Sequence, residues 1–456
     1  MHGSTNKTLR YYYWLTLEFF KKHLRLIFLS TFISTITIIS AITVSPYLIT
    51  FLSPRETVMG LVGTYNKNDP LPDEIAGKIS NGLVFVNEKG RVLPVLASSW
   101  EILNEGLTYR FSLKKNLLFD NNTFFTAKDV DYIFKDIKMR VVGDYIVEFE
   151  LPKPLAIFPI YLSKPIIKYP FIGVGGLYKV EHTKYKFSQL SEIQLNPNKK
   201  NLNTLVYKFY ASESDLLSAY KRGEISQMHV SKKSIADTFK AWNNTIVEKM
   251  IDYSNLLTLF FNYRNPLLRE KDVRGAIDAT IDRPKFAELG AEAKSSIPPT
   301  SWAYNKDLKS TIFDLDYAQK MVKKYKTASD SAKLNFNTYY EYLDIATDIN
   351  KNLNDVGLST NLNVVSFSNT NDFDILLAYL KIPSDPDQYY YWHSTQSLSQ
   401  ATNYKNLKVD KLLEDGRSFA SFEERTTYYR DLQKVMNDDN AALFLFYPYT
   451  FTIKRK

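Results

Sequence analysis

The 456-residue chain contains no cysteine, which excludes disulfides, thiolate metal ligands, a cysteine nucleophile and a lipid-bearing cysteine. Histidine is also scarce. His2, His23, His182, His229 and His393 are the only five, and none has a second histidine at zinc-ligand spacing, so no preformed metal site is expected. A strained G-x-S-x-G turn that would expose a serine nucleophile is missing, as is a G-x-x-x-x-G-K-[ST] phosphate loop. The glycines of GVGG, 173–176, lack dinucleotide spacing and suit a tight strand entry. Close acidic pairs such as Asp385 with Asp387, or Asp438 with Asp439, are as compatible with capping as with acid/base chemistry. The chain therefore reads as no enzyme, with no cofactor and no metal.

Charge of one sign is also thin where it would matter for nucleic acid. The formal net charge is +9, but residues 1–25 hold Lys7, Arg10, Lys21, Lys22 and Arg25 against Glu18 alone. The remaining excess is spread out, with no basic stripe beyond a terminal KRK, so nucleic acid is not an expected partner.

Residues 26–52 carry no charged side chain. At a rise of about 1.5 Å per residue they suffice for a hydrocarbon core of roughly 30 Å. The preceding basic cluster predicts a cytoplasmic N-terminus and an extracytoplasmic remainder in the cell membrane. The length favours an uncleaved, single-pass signal anchor over a cleaved signal peptide, whose apolar core is shorter.

Beyond residue 52 the patterning is mixed α/β. TYRFSLKK alternates with period two, placing Tyr109, Phe111 and Leu113 on one sheet face. TAKDVDYIFKDI reads as a helix capped by Thr126 with Val130, Ile133, Phe134 and Ile137 on one face. SESDLLSAYKRGE reads as a helix opened by Ser212 and closed by Gly223. Helical spacing recurs at 271–289, 314–326, 339–356 and 421–437. LFFNY, STNLNVVSF, DILLAYL and ALFLFYPYTF read as strands.

Aromatics are abundant, with 32 tyrosines and 29 phenylalanines. They concentrate in SDPDQYYYWHS, 384–394, which offers a catalytic site, a metal site through His393, or a wall of a ligand pocket. As a strand, this stretch would put Tyr389 and Tyr391 on one face and Tyr390 and Trp392 on the other. The second pair is expected to line the pocket.

The ordered run GLVFVNEKGRVLPVLASSWEILNEGLTYRFSLKKNLLFDNNTFFTAKDVDYIF resembles the amino-terminal signature of the solute-binding protein family 5, the peptide, nickel and related binding proteins of ATP-binding-cassette importers. Pro94, Leu96, Ala97, Ser99, Trp100, Glu101, Gly106, Leu107, Thr108, Tyr109, Phe111, Leu113, Thr126, Ala127, Asp129 and Val130 carry the match. GVGGLYKV, SDLLSAYKRGEI, LFFNYRNPLLREKDVRGAIDATIDRPKF, IPPTSWAYN, the DPD segment and the closing EERTTYYRDLQKVMNDDNAALFLFYP continue it in order.

The resemblance implies a periplasmic-binding-protein-like architecture: a two-lobed α/β clamshell with an extra inserted subdomain, here preceded by one transmembrane helix. Lobe 1 would comprise about 57–67, 171–258 and 441–456, the subdomain about 68–170, and lobe 2 about 259–440. It implies capture of a peptide or another small polar solute by lobe closure and delivery to separate permease and ATPase chains. Expected ligand contacts are Tyr65, Asn262, Trp302, Tyr304, Asp385, Asp387, Tyr390 and Trp392. Trp100 is expected as a core anchor, and Arg274 with Asp282 as a helix-packing pair. In peptide-binding relatives an acid just upstream of the DPD-like motif can pair with the ligand's amino group, whereas Lys381, Ile382 and Pro383 stand there in this sequence. The alternative is a non-transport structural or signalling protein that uses the same clamshell as a partner-binding surface.

Overall fold

The computed structural model describes residues 9–52, 56–87, 90–325, 333–366 and 372–456. Residues 1–8, with His2 and Lys7, and Glu88, Lys89, Lys326 and Phe367, all included in the sequence readings above, lie outside them. Leu9–Leu52 is one helix of 44 residues, about 66 Å long at the standard rise. Its apolar portion is long enough to cross a membrane, a property that signal sequences share.

The rest is organised by one 12-stranded mixed sheet. Its first half runs through Tyr178–Lys186, Gln189–Pro197, Thr204–Tyr210, Glu56–Val62 and Gln227–Val230. Its second half runs through Asn255–Phe261, Ile375–Lys381, Leu334–Thr338 and Thr360–Val364. The long strand Ala442–Arg455 belongs to both: residues 442–446 pair with Asn255–Phe261, whereas 449–455 pair with Thr245–Ile251. The two lobes are thus stitched at 252–254 and at the middle of the last strand. The expected boundary at 258/259 divides a strand whose pairings all lie in the second half of the sheet.

Each half is covered on both faces, which explains the unbroken apolar runs. In NLLTLFF every residue from Leu256 onward is buried. Leu257, Leu259 and Phe261 enter one core while Leu256 and Phe260 enter the other, as period-two geometry requires. The first lobe has its own pair of cores. A separate core under the antiparallel sheet Ala97–Leu103, Thr108–Leu113, Ile146–Glu150 and Lys138–Gly143 defines the inserted subdomain. There Tyr109, Phe111 and Leu113 are all buried, and Trp100 stacks on Phe111 at 5.8 Å.

Local signals behave as their chemistry dictates in several places. Ser212 accepts the Asp215 N–H, and Gly223 closes the helix Glu213–Arg222 at φ 80°, a conformation that glycine adopts without a Cβ clash. Gly173 and Gly176 press against the Ile79 backbone before the strand that starts at Tyr178.

Two readings fail. Residues 127–129 form a single 3-10 turn, closed by a capping box between Thr126 and Asp129, and no helix follows; Ile133 is 95% exposed. The reason is tertiary: the Tyr132 hydroxyl reaches the Leu162 and Lys164 carbonyls at 2.8 and 2.7 Å and pins the segment flat. Arg274 does not pair with Asp282. It binds Asp439 at 2.7 Å and the carbonyls of Leu268, Arg269, Asp439 and Asn440, so it caps the end of the helix Phe422–Asp439, where exposed carbonyls attract a cation. Asp282 lies near Lys285 instead.

Candidate ligand cleft

The SDPDQYYYWHS stretch is a chain of turns leading into one helical turn, Tyr389–Trp392. Asp385 Oδ1 accepts the Asp387 N–H at 2.9 Å, and Asp387 Oδ1 accepts the Tyr389 N–H at 3.2 Å, two successive aspartate turns of the kind this side chain favours. The expected strand is therefore absent, and with it the shared face of Tyr390 and Trp392. At helical spacing these residues diverge: Tyr390 is 54% exposed and Trp392 is 1% exposed. Trp392 stacks on Phe260 and donates its indole N–H to Gln388 Oε1 at 3.0 Å, which makes it a core residue of the second lobe.

Both aspartates are already engaged. Asp385 takes a fork of two bonds from Arg425, at 3.1 and 2.5 Å. Asp387 Oδ2 lies 3.3 Å from Arg417 Nε and accepts the Tyr161 hydroxyl at 3.1 Å. Burial pushes the Asp387 carboxyl up from the usual carboxylate range, against the pull of Arg417. The Arg417 guanidinium lies over the rings of Tyr389 and Tyr390, at 4.1 and 5.2 Å, so it also fixes the aromatic wall.

A cavity of about 580 Å³ opens between this segment and the subdomain, lined by Tyr390, Tyr391, Asp385 and Asp387 on one side and Asp73, Tyr161 and Lys164 on the other. A second, of about 650 Å³, continues from Asp73, Tyr161, Lys164 and Pro165 into the first lobe and subdomain. Both fall in the range of ligand sites. Of the eight expected contacts, Asp385, Asp387 and Tyr390 meet at the first cavity.

The others lie elsewhere. Tyr65 packs edge-on against Phe209 at 5.1 Å in the first-lobe core. Asn262 is buried, donating to the Phe373 carbonyl and accepting from Arg264 N–H and Asn403, a cap at the end of its strand. Trp302 packs on Phe422 and Tyr429 with the Arg425 guanidinium above it. A Cβ at Gly90 would collide with the Trp302 indole, so the subdomain hairpin seals this ring. Tyr304 is half-buried, and burial raises its phenol. His393 stacks on Tyr389 and reaches Thr395 and Glu414. No cluster of three metal-ligating side chains occurs among the described residues.

Sequence reasoning missed Asp73, Tyr161 and Lys164 as cleft residues. They come from the first lobe and subdomain, where only chain topology brings them to the DPD turn.

Comparison with known proteins follows the same architecture. The oligopeptide-binding protein AppA of Bacillus subtilis is 24% identical, covering 85% of this chain and 84% of its own. A probable di/tripeptide-binding protein 5 of Pseudomonas aeruginosa is 22% identical, covering 84% and 86%. Among solved structures, AppA of Bacillus subtilis in complex with a nonapeptide superimposes with TM-score 0.68 at 22% identity, over 89% of this chain and 95% of that one. NikZ of Campylobacter jejuni in complex with Ni(L-His) gives 0.71 at 20%, over 89% and 95%. These likenesses show the two-lobed periplasmic-binding-protein fold. The model of the bacterial extracellular solute-binding proteins, family 5 Middle, matches residues 91–140 and 132–401, so this chain belongs to that family of binding proteins and is not an enzyme.

Proposed function

We propose that this chain is the membrane-tethered, extracytoplasmic peptide-binding component of an ATP-binding-cassette importer, holding its ligand between the lobes and passing it to a separate permease. The observation that carries the peptide reading is the cavity of about 580 Å³. Tyr390 and Tyr391 supply ring faces for varied side chains, while Asp73 and Lys164 supply both signs of charge for a zwitterionic chain. The names of the relatives add support but span ligands from di- and tripeptides to a nonapeptide. Tyr390, Tyr391, Tyr161, Asp73 and Lys164 are the contacts we assign. Asp385 and Asp387 hold the wall rather than the ligand.

The clamshell would use residues 252–254 and the middle of Ala442–Arg455 as its hinge, since among the described residues these are the segments that cross between the halves of the sheet. The helix Leu9–Leu52 would serve as the anchor, with its basic start in the cytoplasm.

Thermal unfolding with and without a peptide library tests the ligand. A peptide at about 100 times its Kd should add about 2.7 kcal/mol of stability. A panel of short peptides that leaves the melting curve unmoved would refute the reading. Intact mass of the membrane fraction tests the anchor, which requires residues 1–52 to be retained.

A further inference from the structure

We propose that Tyr161 sets the length of ligand this cleft accepts: its ring, tethered by its hydroxyl to Asp387 and Arg417, divides the cleft into two chambers and confines a ligand to one. The proposal rests on the peptide reading above.

Tyr161 sits in the 3-10 turn Phe158–Ser163 of the subdomain, and its ring packs against the subdomain core. Its hydroxyl partners belong to the second lobe. The hydroxyl donates to Asp387 Oδ2 at 3.1 Å across 226 residues and accepts from Arg417 Nη2 at 3.1 Å across 256 residues. Both bonds involve a charged group, so each is stronger than a neutral hydrogen bond. The ring cannot swing aside without releasing both.

The two cavities meet at this residue. They share Asp73, Tyr161, Lys164 and Pro165 and then diverge. One runs along Pro383 to Tyr391. The other runs along Lys67, Tyr132, Tyr169 and Phe171. Asp73 and Lys164 are exposed, whereas Tyr161 is half-buried between the lobes, which makes its ring the fixed part of the shared wall.

The volumes then set the lengths. An extended residue packed at ordinary strand and sheet spacings occupies roughly 160 Å³, so chambers of about 580 and 650 Å³ each accept roughly three to four residues. A longer chain must pass the Tyr161 ring. The far chamber offers such a chain Lys67, which lies over the Tyr169 ring at 5.8 Å, whereas Lys168 there is already held by Asp129 at 2.6 Å.

The experiment is native mass spectrometry of the detergent-solubilised full chain with an equimolar ladder of alanine-rich peptides, roughly two to eight residues long. Wild type should hold peptides of about three to four residues, with occupancy falling about tenfold by six. Tyr161→Phe, which keeps the ring and removes the tether, and Tyr161→Ala, which removes both, should extend the limit to six residues or more. Occupancy at each length is read relative to that of the tripeptide in the same variant, so a general loss of affinity leaves the ladder where it was. Melting curves establish that each variant folds, and Tyr161→Phe decides alone if the alanine variant does not. Wild type that takes octapeptides as readily as tripeptides, or variants whose ladder superimposes on wild type, would overturn the partition and leave the peptide reading standing. Absence of binding at every length would overturn both.

Discussion

Asp385→Ala separates a structural aspartate from a ligand-binding one. Arg425 and Asp385 are 2% and 9% exposed at their side chains, joined by two hydrogen bonds of 3.1 and 2.5 Å. Removing the carboxylate leaves the guanidinium with the Gly416 carbonyl and the Tyr429 hydroxyl, both 3.2 Å away, beneath the Trp302 ring. A buried charge stripped of its partner costs about 3–5 kcal/mol. The double replacement Asp385→Leu with Arg425→Met removes both charges and should recover most of that loss, because the desolvation cost disappears with the attraction. Urea denaturation followed by tryptophan fluorescence measures both, and Trp302, 5.2 Å from the guanidinium, reports the site directly. A ligand-contact role predicts the reverse pattern: stability kept and affinity lost. The structural account is refuted if the alanine variant loses less than about 1 kcal/mol, or if the double variant is as unstable as the single one.

Other predictions divide the aromatic wall from its support. Trp392→Ala should cost about 3–5 kcal/mol of stability as a core cavity, while Tyr390→Ala should stay within about 0.5 kcal/mol in the melt and weaken peptide binding in calorimetry. The Asp129 carboxyl lies below its ordinary range: burial works to raise it, but Lys168 and the Thr126 N–H and hydroxyl win. Its stabilisation is therefore present above the unfolded value of about 3.9 and is lost as pH falls through the folded one. The stability gap between wild type and Asp129→Asn should close below about pH 4 in acid titrations of the unfolding midpoint. N-acetylated peptides should bind about tenfold more weakly than free ones in the same calorimetry, because the amino charge meets Asp73 while both second-lobe carboxylates at the cavity are already paired; a loss that persists in full in Asp73→Asn would mean that Asp385 or Asp387 reads the amino terminus instead.

The sheet was partly legible because burial on both faces writes apolar runs: ALFLFYPYTF read as a strand, while LFFNY caught only the second half of Asn255–Phe261. Helix ends such as Ser212 and Gly223 were legible because their chemistry is local. Residues 130–137 were not, because the Tyr132 hydroxyl finds its partners thirty residues downstream, at Leu162 and Lys164, and such a bond outweighs propensities worth tenths of a kcal/mol. Which side chains of SDPDQYYYWHS share a face was not legible for a related reason. Aspartates at 385 and 387 do signal successive turns, but three tyrosines and a tryptophan signal a strand, and only Arg417 and Arg425, from later segments, settle the contest by binding both carboxylates.

Asp385 and Asp387 are buried and spent on arginines, so the turn keeps its shape whatever lies in the cleft. Ile382, one of the three residues Lys381, Ile382 and Pro383 upstream of the DPD turn, is 6% exposed and ties its N–H to the Ser254 carbonyl at 2.8 Å. It secures the strand end rather than facing a solute. On the proposed function, the two aspartates take no part in discrimination, which falls to the Tyr390 and Tyr391 rings and to what stands opposite them: Asp73, Lys164 and the Tyr161 ring. Asp73 and Lys164 stand outside the ion pairs of the second lobe, so on that reading selectivity can change through them alone, whereas a change at Tyr161 also removes hydrogen bonds to Asp387 and Arg417.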